Sequence, residues 1–167
     1  LYVLIRRIGE NDCVADIFTN GSLLTEENLD KLQAAGCDTL FVSLDSPFPE
    51  EHDRLRGVPG LYDRVIEGIE RAVSRGMAVG VSTYMNRENI AKDYHHRFLE
   101  LCRGLGVGEL TVFDLVPTGR CIKQDELIPV SYTHLRAHET PEHLVCRLLL
   151  EKKKNANTQY KHDIPNR

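Results

Sequence analysis

The residues with the clearest potential for ligand chemistry are short polar side chains that lie at the ends of apolar runs. Asn20 follows one such run, Ser43 and Asp45 lie at the end of the run TLFVSL, and Thr83 ends the run AVGVST. If these runs are parallel strands, their polar ends meet at one edge of the sheet, where α/β folds bind their ligands. A simpler role stays open for Asn20 and Asp45, because both residue types also stabilise turns by bonding nearby backbone groups.

Apolar spacing predicts the elements that would position these residues. Helical periodicity with glycine stop signals predicts helices over 1–8, 26–35, 62–73 and 94–105, and short apolar runs predict strands over 14–18, 39–44, 78–83 and 109–116. Thr25 is a candidate N-cap, and the Pro- and Gly-rich residues 45–60 are predicted to form a loop. This alternating order requires parallel strands with right-handed crossovers, which both a doubly wound sheet and a barrel satisfy.

Charge and cysteine usage exclude several classes of protein. Residues 129–167 hold seven of the 21 basic residues and four of the 25 acidic ones, so residues 1–128 carry a net charge of −7. An acidic body argues against nucleic-acid partners. The five cysteines are scattered without a C-x-x-C pair, as is typical of reduced thiols in the cytoplasm. No apolar stretch approaches the roughly 20 residues that span a membrane, so we expect a cytoplasmic protein without a membrane partner.

The C-terminal residues differ in origin from the rest of the chain. The string VSYTHLRAHET at residues 130–140 resembles a translated sequencing adapter, and the residues after it continue in the order of such an adapter. We therefore expect two parts, a folded domain over 1–128 and an adapter-derived, non-native tail over 129–167. The alternative is a native amphipathic helix over 142–154, where four apolar residues recur at near-helical spacing.

Four motifs in order resemble the radical S-adenosylmethionine (SAM) superfamily. They are TNGSLLTEE at 19–27, VSLDS at 42–46, HDRLRG at 52–57 and VPTGR at 116–120. The resemblance covers about residues 1–122 and points to the SPASM or maturase-like branch, whose members mature peptides and cofactors. It implies an α/β fold, a partial (β/α)6 radical-SAM-type barrel of about four parallel strands with helices.

The resemblance also implies the chemistry of the parent enzyme. A [4Fe–4S] cluster in a CxxxCxxC loop passes one electron to SAM, and the resulting 5′-deoxyadenosyl radical abstracts hydrogen from a substrate. This chain contains no CxxxCxxC, and in the family that motif lies before the position of Leu1. We therefore expect a fragment that lacks its true N-terminus, holds no cluster or other metal, and is catalytically inactive. The substrate, a peptide or a small molecule, is not identified by the sequence.

The family motifs carry over to a set of residues that would face SAM in this chain. The implied cofactor-binding residues are Asn20, Ser43, Asp45, Arg56, Thr83 and Val116. Ser43 and Asp45 would face the ribose or the carboxylate of SAM, and the backbone at Val116 would lie along the adenine. Arg56 would make a forked contact with the SAM carboxylate. Alternatively, Arg56 pairs only with Asp53 or Glu51 on the surface.

Two other classes of protein fit the same element order. A non-catalytic α/β domain could bind a nucleotide with the same strand ends. An aldolase-type barrel would need a lysine at a strand end, whereas Lys31, Lys92 and Lys123 all fall in helix or loop patterns.

Overall fold

The computed structural model describes residues 1–114 and the strand at 145–149. Helices and strands alternate over most of the chain, as predicted. The helices are α1 (Tyr2–Gly9), α2 (Glu26–Ala35), α3 (Pro49–Arg56), α4 (Leu61–Ser74), α5 (Arg87–Ala91) and α6 (Tyr94–Leu105). The strands are β1 (Asp16–Thr19), β2 (Thr39–Ser43), β3 (Ala78–Met85), β4 (Glu109–Asp114) and β5 (Val145–Leu149). In these ranges no helix is both long and apolar enough to cross a bilayer.

The sheet has the consecutive order β1-β2-β3-β4-β5, and the first four strands are parallel. Parallel crossovers are right-handed as a rule, so an unreversed strand order places successive helices on the same face of the sheet. The packing agrees, because Leu40 and Val42 of β2 lie in one core with Val65 of α4 and Phe98 of α6. A doubly wound sheet would reverse its strand order at a switch point. The described strands therefore form the wall of a partial barrel.

The face of the sheet away from the helices is concave. The Phe18 ring stacks on Phe41 with centroids 4.6 Å apart, and it lies 6.5 Å from the Phe113 ring. Phe18 and Phe113 belong to β1 and β4, which would be roughly 14 Å apart in a flat sheet with strands about 4.8 Å apart. Only glycine fits at position 80, because a Cβ there would lie 2.5 Å from the Phe41 ring. The aromatic contacts thus lie on the inner side of the curved wall.

Helix capping explains why α2 begins and ends where the sequence predicted. The Thr25 hydroxyl accepts a hydrogen bond from the Asn28 backbone N–H at 3.3 Å, and Gly36 ends the helix in the left-handed region at φ 85°. Both features satisfy backbone groups that a helix end leaves unpaired. Leu29 and Leu32 then face the core.

The predicted loop over 45–60 is wrong in its middle, because it contains α3. Pro49 lies in the first turn of α3, where a missing N–H costs nothing, and Glu50 follows in the same turn. Arg56 lies in the last turn, and Gly57 caps the helix at φ 68°. The prolines and glycines therefore act as boundaries of a short helix rather than as breakers throughout. Helix α5, bounded by a capping box of Asn86 and Asn89, was also not predicted.

Strand β5 contradicts the alternative of a helix over 142–154, and two other predictions stay untested. Residues 145–149 form β5, antiparallel to β4, instead of part of a helix over 142–154. The open edge of β4 offers backbone hydrogen-bonding groups, which an extended segment can satisfy whatever its helical spacing. The domain boundary at 128 and the site residue Val116 lie outside the described residues and stay predictions.

Candidate functional site

Two serines meet on the concave face at the carboxyl end of β2. Side chains alternate along a strand, and Val42 and Leu44 point into the helix-side core, so Ser43 faces the other way. Its hydroxyl lies 3.2 Å from the Ser82 hydroxyl on β3. The register then pairs Ser82 with Thr111 of β4. Three hydroxyl side chains thus form a row across neighbouring strands, on the face that a barrel closes around its ligand.

An ion pair joins two of the predicted residues just beyond this row. Arg56 Nη2 donates to Asp45 Oδ1 at 2.8 Å, and Arg56 Nε lies 2.6 Å from Asp45 Oδ2. The side chains of Asp45 and Arg56 are only 16% and 30% exposed. Only the Nη2 contact is a hydrogen bond, because the buried Arg56 Nε–H has no hydrogen-bond partner among the described residues, so the Nε contact is one of charge alone. The structure therefore brings Asp45 and Arg56 together at the tip of β2, close to Ser43.

The partners that the sequence offered Arg56 as alternatives are engaged elsewhere. Asp53 accepts from the backbone N–H groups of Gly60 and Tyr62 at the start of α4, and these bonds hold the pKa of its carboxyl below the ordinary value. Glu51 accepts from the Ser46 hydroxyl. Each acidic residue thus fixes part of the 45–60 segment, which leaves Asp45 as the partner of Arg56.

A buried histidine on α3 contacts the main chain of Asp45. His52 on α3 is 0% exposed, and its Nδ1 accepts a hydrogen bond from the Asp45 backbone N–H at 3.2 Å. Burial is the main reason why the His52 pKa lies below the ordinary value. The sequence favoured only a turn or capping role for His52, which begins the string HDRLRG seven residues after Asp45, and did not place it behind the candidate site.

Asn20 lies in an exposed turn at the end of β1. Its Oδ1 accepts from the Ser22 backbone N–H at 3.1 Å and from the Ser22 hydroxyl at 2.8 Å. Gly21 follows in the left-handed region at φ 76°. The structure therefore shows the turn role that the sequence left open, with the oxygen of Asn20 bonded within its own loop.

The structure does not bring Thr83 to the face that carries Ser43. Ser82 and Thr83 are adjacent in β3, so their side chains point to opposite sides of the sheet. Thr83 is 3% exposed and follows the same side as the core residues Val81 and Met85. The expected convergence of Asn20, Ser43 and Thr83 is corrected on this point, and Ser82 occupies the place that Thr83 was given.

Thr111 was missed, and Ser82 was passed over in favour of its neighbour Thr83, for a related reason. Each is a common residue in an apolar run, and nothing in the sequence states which strand positions are neighbours. The pairing of Ser43 with Ser82, and of Ser82 with Thr111, follows only from the register of three strands.

The described cysteines do not fit an iron–sulfur cluster. A cluster needs several cysteine sulfurs close together, and Cys13, Cys37 and Cys102 form no such group within the described residues. Burial raises the pKa of the Cys37 thiol to about 11 and that of Cys102 to about 12, as is usual for cysteines that pack as small apolar side chains. Cys13 is exposed. Within the described ranges, the one group of three residues with metal-ligand atoms close together is Asp93, His95 and His96 at the start of α6. All three side chains are exposed and contain no sulfur ligand.

Comparison with known proteins identifies the class. The sequence profile of the Radical SAM superfamily matches residues 2–102, and the chain belongs to that superfamily. The match includes α1 through most of α6, and with them the Ser43, Asp45 and Arg56 corner.

Relatives with different named functions share this region. The chain is 38% identical over 117 residues to an AdoMet-dependent heme synthase of Methanosarcina barkeri, covering 70% of this chain and 33% of the relative. It is 35% identical over 116 residues to a Saccharolobus islandicus protein named "Probable GTP 3',8-cyclase", covering 69% of this chain and 36% of the relative. The chain thus spans about a third of the length of these relatives.

Solved structures show the same fold at low sequence identity. Streptococcus suis SuiB bound to precursor peptide SuiA matches with a TM-score of 0.60 and 17% identity, over 81% of this chain and 30% of that chain. The coproporphyrinogen III oxidase HemN of Escherichia coli, a radical SAM enzyme, matches with a TM-score of 0.52 and 18% identity, over 77% and 31%. These likenesses support the partial barrel.

Proposed function

We propose that this chain forms the SAM-facing wall of a cytoplasmic radical SAM enzyme that matures a cofactor or a peptide. The observation that carries the proposal is the corner at the tip of β2, where Ser43 meets Ser82 on the concave face and Asp45, two residues further on, pairs with Arg56. The corner lies within the superfamily match. The names of the relatives, a heme synthase and a cyclase, favour cofactor maturation.

The chemistry of the corner suits the two polar ends of SAM. A guanidinium has five N–H donors, and only Nη2 of Arg56 donates a hydrogen bond to Asp45, so further donors remain for the SAM carboxylate. The Ser43 and Ser82 hydroxyls both donate and accept, as the ribose hydroxyls do. Asn20 and the backbone at Val116 remain candidates for the same pocket. Thr83 would act only by supporting the strand from the helix side.

The chain by itself is proposed to be catalytically inactive. In a radical SAM enzyme the bound [4Fe–4S] cluster supplies the electron that cleaves SAM to a 5′-deoxyadenosyl radical. The described cysteines are not grouped as such a cluster requires, so we derive no reaction step on these residues. Anaerobic reconstitution of the 167-residue chain with iron and sulfide should leave it colourless. A brown product with the absorbance of an iron–sulfur cluster would contradict this part of the proposal.

Binding of SAM tests the corner directly. Isothermal titration of the 167-residue chain with SAM should detect binding that Arg56→Ala weakens by about 1.5–3 kcal/mol, because hydrogen bonds to charged groups contribute that much. Arg54→Ala is the matched control, since Arg54 lies on the same helix with a side chain that is 70% exposed. Equal weakening by both variants, or no binding of SAM, would overturn the assignment of Arg56.

The same titration separates the alternative function. A non-catalytic nucleotide-binding domain would bind ATP at least as well as SAM. The proposed function predicts that SAM and S-adenosylhomocysteine bind and that ATP, which lacks the amino-acid carboxylate, binds more weakly and is insensitive to Arg56→Ala.

A further inference from the structure

The hydrogen bond between His52 and Asp45 fixes the tautomer of the histidine. A backbone N–H can only donate, so the Nδ1 atom that faces the Asp45 N–H must carry a lone pair. The ring proton therefore lies on Nε2. That atom is buried and has no hydrogen-bond partner within the described residues, and the ring packs edge-on against Tyr62 with centroids 6.0 Å apart.

The groups around His52 favour its neutral form. Asp45 at the end of β2 and Asp53 on α3 would each attract a proton to the ring, whereas Arg56 on α3 would repel it. Tyr62 packs against the ring from α4 in a T-shaped arrangement, with an angle of 68° between the two ring planes. Removal of the ring from water outweighs the two carboxylates, one of which is already paired with Arg56.

We propose that His52 is a positioning residue of the SAM-facing corner: its neutral ring holds the Asp45 main chain so that the carboxylate meets Arg56, and protonation of the ring releases this arrangement. The consequence for ligand binding rests on the proposed function, whereas the coupling of His52 to the ion pair does not. His52 would act through Asp45 and Arg56 and not touch SAM.

Protonation changes the corner in two ways. A proton on Nδ1 turns the acceptor into a donor, so two N–H groups face each other and the bond to Asp45 is lost. The ring also becomes a buried cation near the Arg56 guanidinium, which costs further free energy. Because the folded pKa is depressed, the neutral arrangement is complete above the ordinary histidine pKa and is lost as the pH falls through the folded one. The corner should therefore loosen in acid.

Nuclear magnetic resonance of the 167-residue chain tests the coupling without any ligand. Nitrogen spectra of the histidine rings, followed from about pH 8 to about pH 4, should show His52 as the Nε2–H tautomer with a midpoint below the ordinary value of about 6.5. The Asp45 amide and the Arg56 Nε–H signals should shift with the same midpoint. An Nδ1–H tautomer, or Asp45 and Arg56 signals that ignore the His52 titration, would overturn the proposal.

Two substitutions separate positioning from simple filling of space. His52→Asn places an amide oxygen near the Nδ1 position and does not titrate, whereas His52→Leu keeps the bulk and removes the acceptor. We expect hydrogen exchange of the Asp45 amide to stay within about threefold of the wild type in His52→Asn and to rise at least about tenfold in His52→Leu, since a lost bond exposes the amide. Equal effects in both variants would show a packing role only. His95→Asn, at an exposed position of α6, is the control.

Ligand binding completes the test and separates the two proposals. SAM affinity of the wild type should fall by about tenfold, which is 1.4 kcal/mol, as His52 becomes protonated, and His52→Asn should flatten this pH dependence. If the chain binds no SAM while the Asp45 and Arg56 signals follow His52, the proposed function fails and the positioning role stands. If SAM binds with the same affinity throughout the His52 titration, the positioning role fails and the proposed function stands.

Discussion

The carboxyl-terminal ends of β1 and β2 carry similar polar residues, but the hydrogen-bond partners of these residues differ. At β1, Asn20 is exposed and its oxygen bonds only to Ser22 two residues away. At β2, Asp45 bonds directly to His52 and Arg56, which lie seven and eleven positions away on α3. The first set of contacts is a local turn, and the second ties a strand end to a helix.

This difference shows where a preorganised site can be expected. A side chain that is satisfied by its own turn needs nothing from the rest of the fold, so its bonds say little about a ligand. A charged pair that is mostly shielded from water stays aligned only if other elements hold it in place. The β2 tip is therefore the stronger candidate for binding. At the β1 tip, the backbone conformation matters more for stability than the Asn20 side chain does.

The largest effect should come from Gly21→Ala at the β1 tip. Gly21 has φ 76°, and a Cβ there would lie 2.8 Å from Val42 and 2.9 Å from Val65. We expect the free energy of unfolding to fall by about 2–4 kcal/mol, from left-handed strain and overpacking together. Urea unfolding followed by circular dichroism measures it.

Gly36→Ala is the matched control for that prediction. Gly36 also has a positive φ, of 85°, but a Cβ there would meet nothing within 4 Å. It should cost only about 1–2 kcal/mol for the backbone conformation. If Gly21→Ala is no more harmful than Gly36→Ala, the β1 tip is not packed as tightly as the structure shows.

A smaller, pH-dependent effect should come from Tyr94→Phe near the β2 tip. Glu51 Oε2 accepts from the Tyr94 hydroxyl and from the Ser46 hydroxyl, each at 2.6 Å. Burial alone would raise the Glu51 pKa, and these two bonds together with the charges of Lys92 and Arg54 outweigh it and lower the value. Loss of one bond to the charged carboxylate should cost about 1–2 kcal/mol near neutral pH.

The sign of that pH dependence follows from the lowered pKa. A carboxyl whose folded pKa is depressed contributes stability above its unfolded pKa of 4.5, and the contribution is lost as the pH falls through the folded pKa. The stability difference between wild type and Tyr94→Phe should therefore shrink in acid. Tyr2→Phe removes a bond to the neutral Asn28 amide and should give a constant difference. A Tyr94→Phe difference that is constant from neutral to acid pH would contradict the network.

The smallest effect should come from Asn20→Ala. The bonds that Asn20 makes are local and exposed, so the free energy of unfolding should fall by about 0.5–1 kcal/mol. Asn20→Asp keeps the accepting oxygen and should be nearly neutral in the same unfolding assay. A loss above about 2 kcal/mol in Asn20→Ala would remove the contrast between the two strand tips.

Sequence reasoning was most successful where the signal is local. The apolar residues of α4 repeat at helical spacing, and α2 is bounded by the cap residues Thr25 and Gly36, so both helices were visible without any tertiary information. It failed within 45–60, because a helix of eight residues such as α3 has little periodicity and its Pro49 and Gly57 also signal a loop. It assigned Asp45 and Arg56 to one pocket but did not predict that they pair with each other.

The sequence by itself determined the alternation of helices and strands, the acidic body, and the order of motifs that places the chain in its superfamily. These properties depend on residue types and on short spacings, which the chain carries in any conformation. Only the tertiary structure decided that Ser82 rather than Thr83 faces Ser43, that Arg56 is held by Asp45, and that a buried His52 stands behind them. The reason is that strand register and the docking of α3 join residues far apart in sequence, and no local pattern encodes which of two adjacent side chains turns inward.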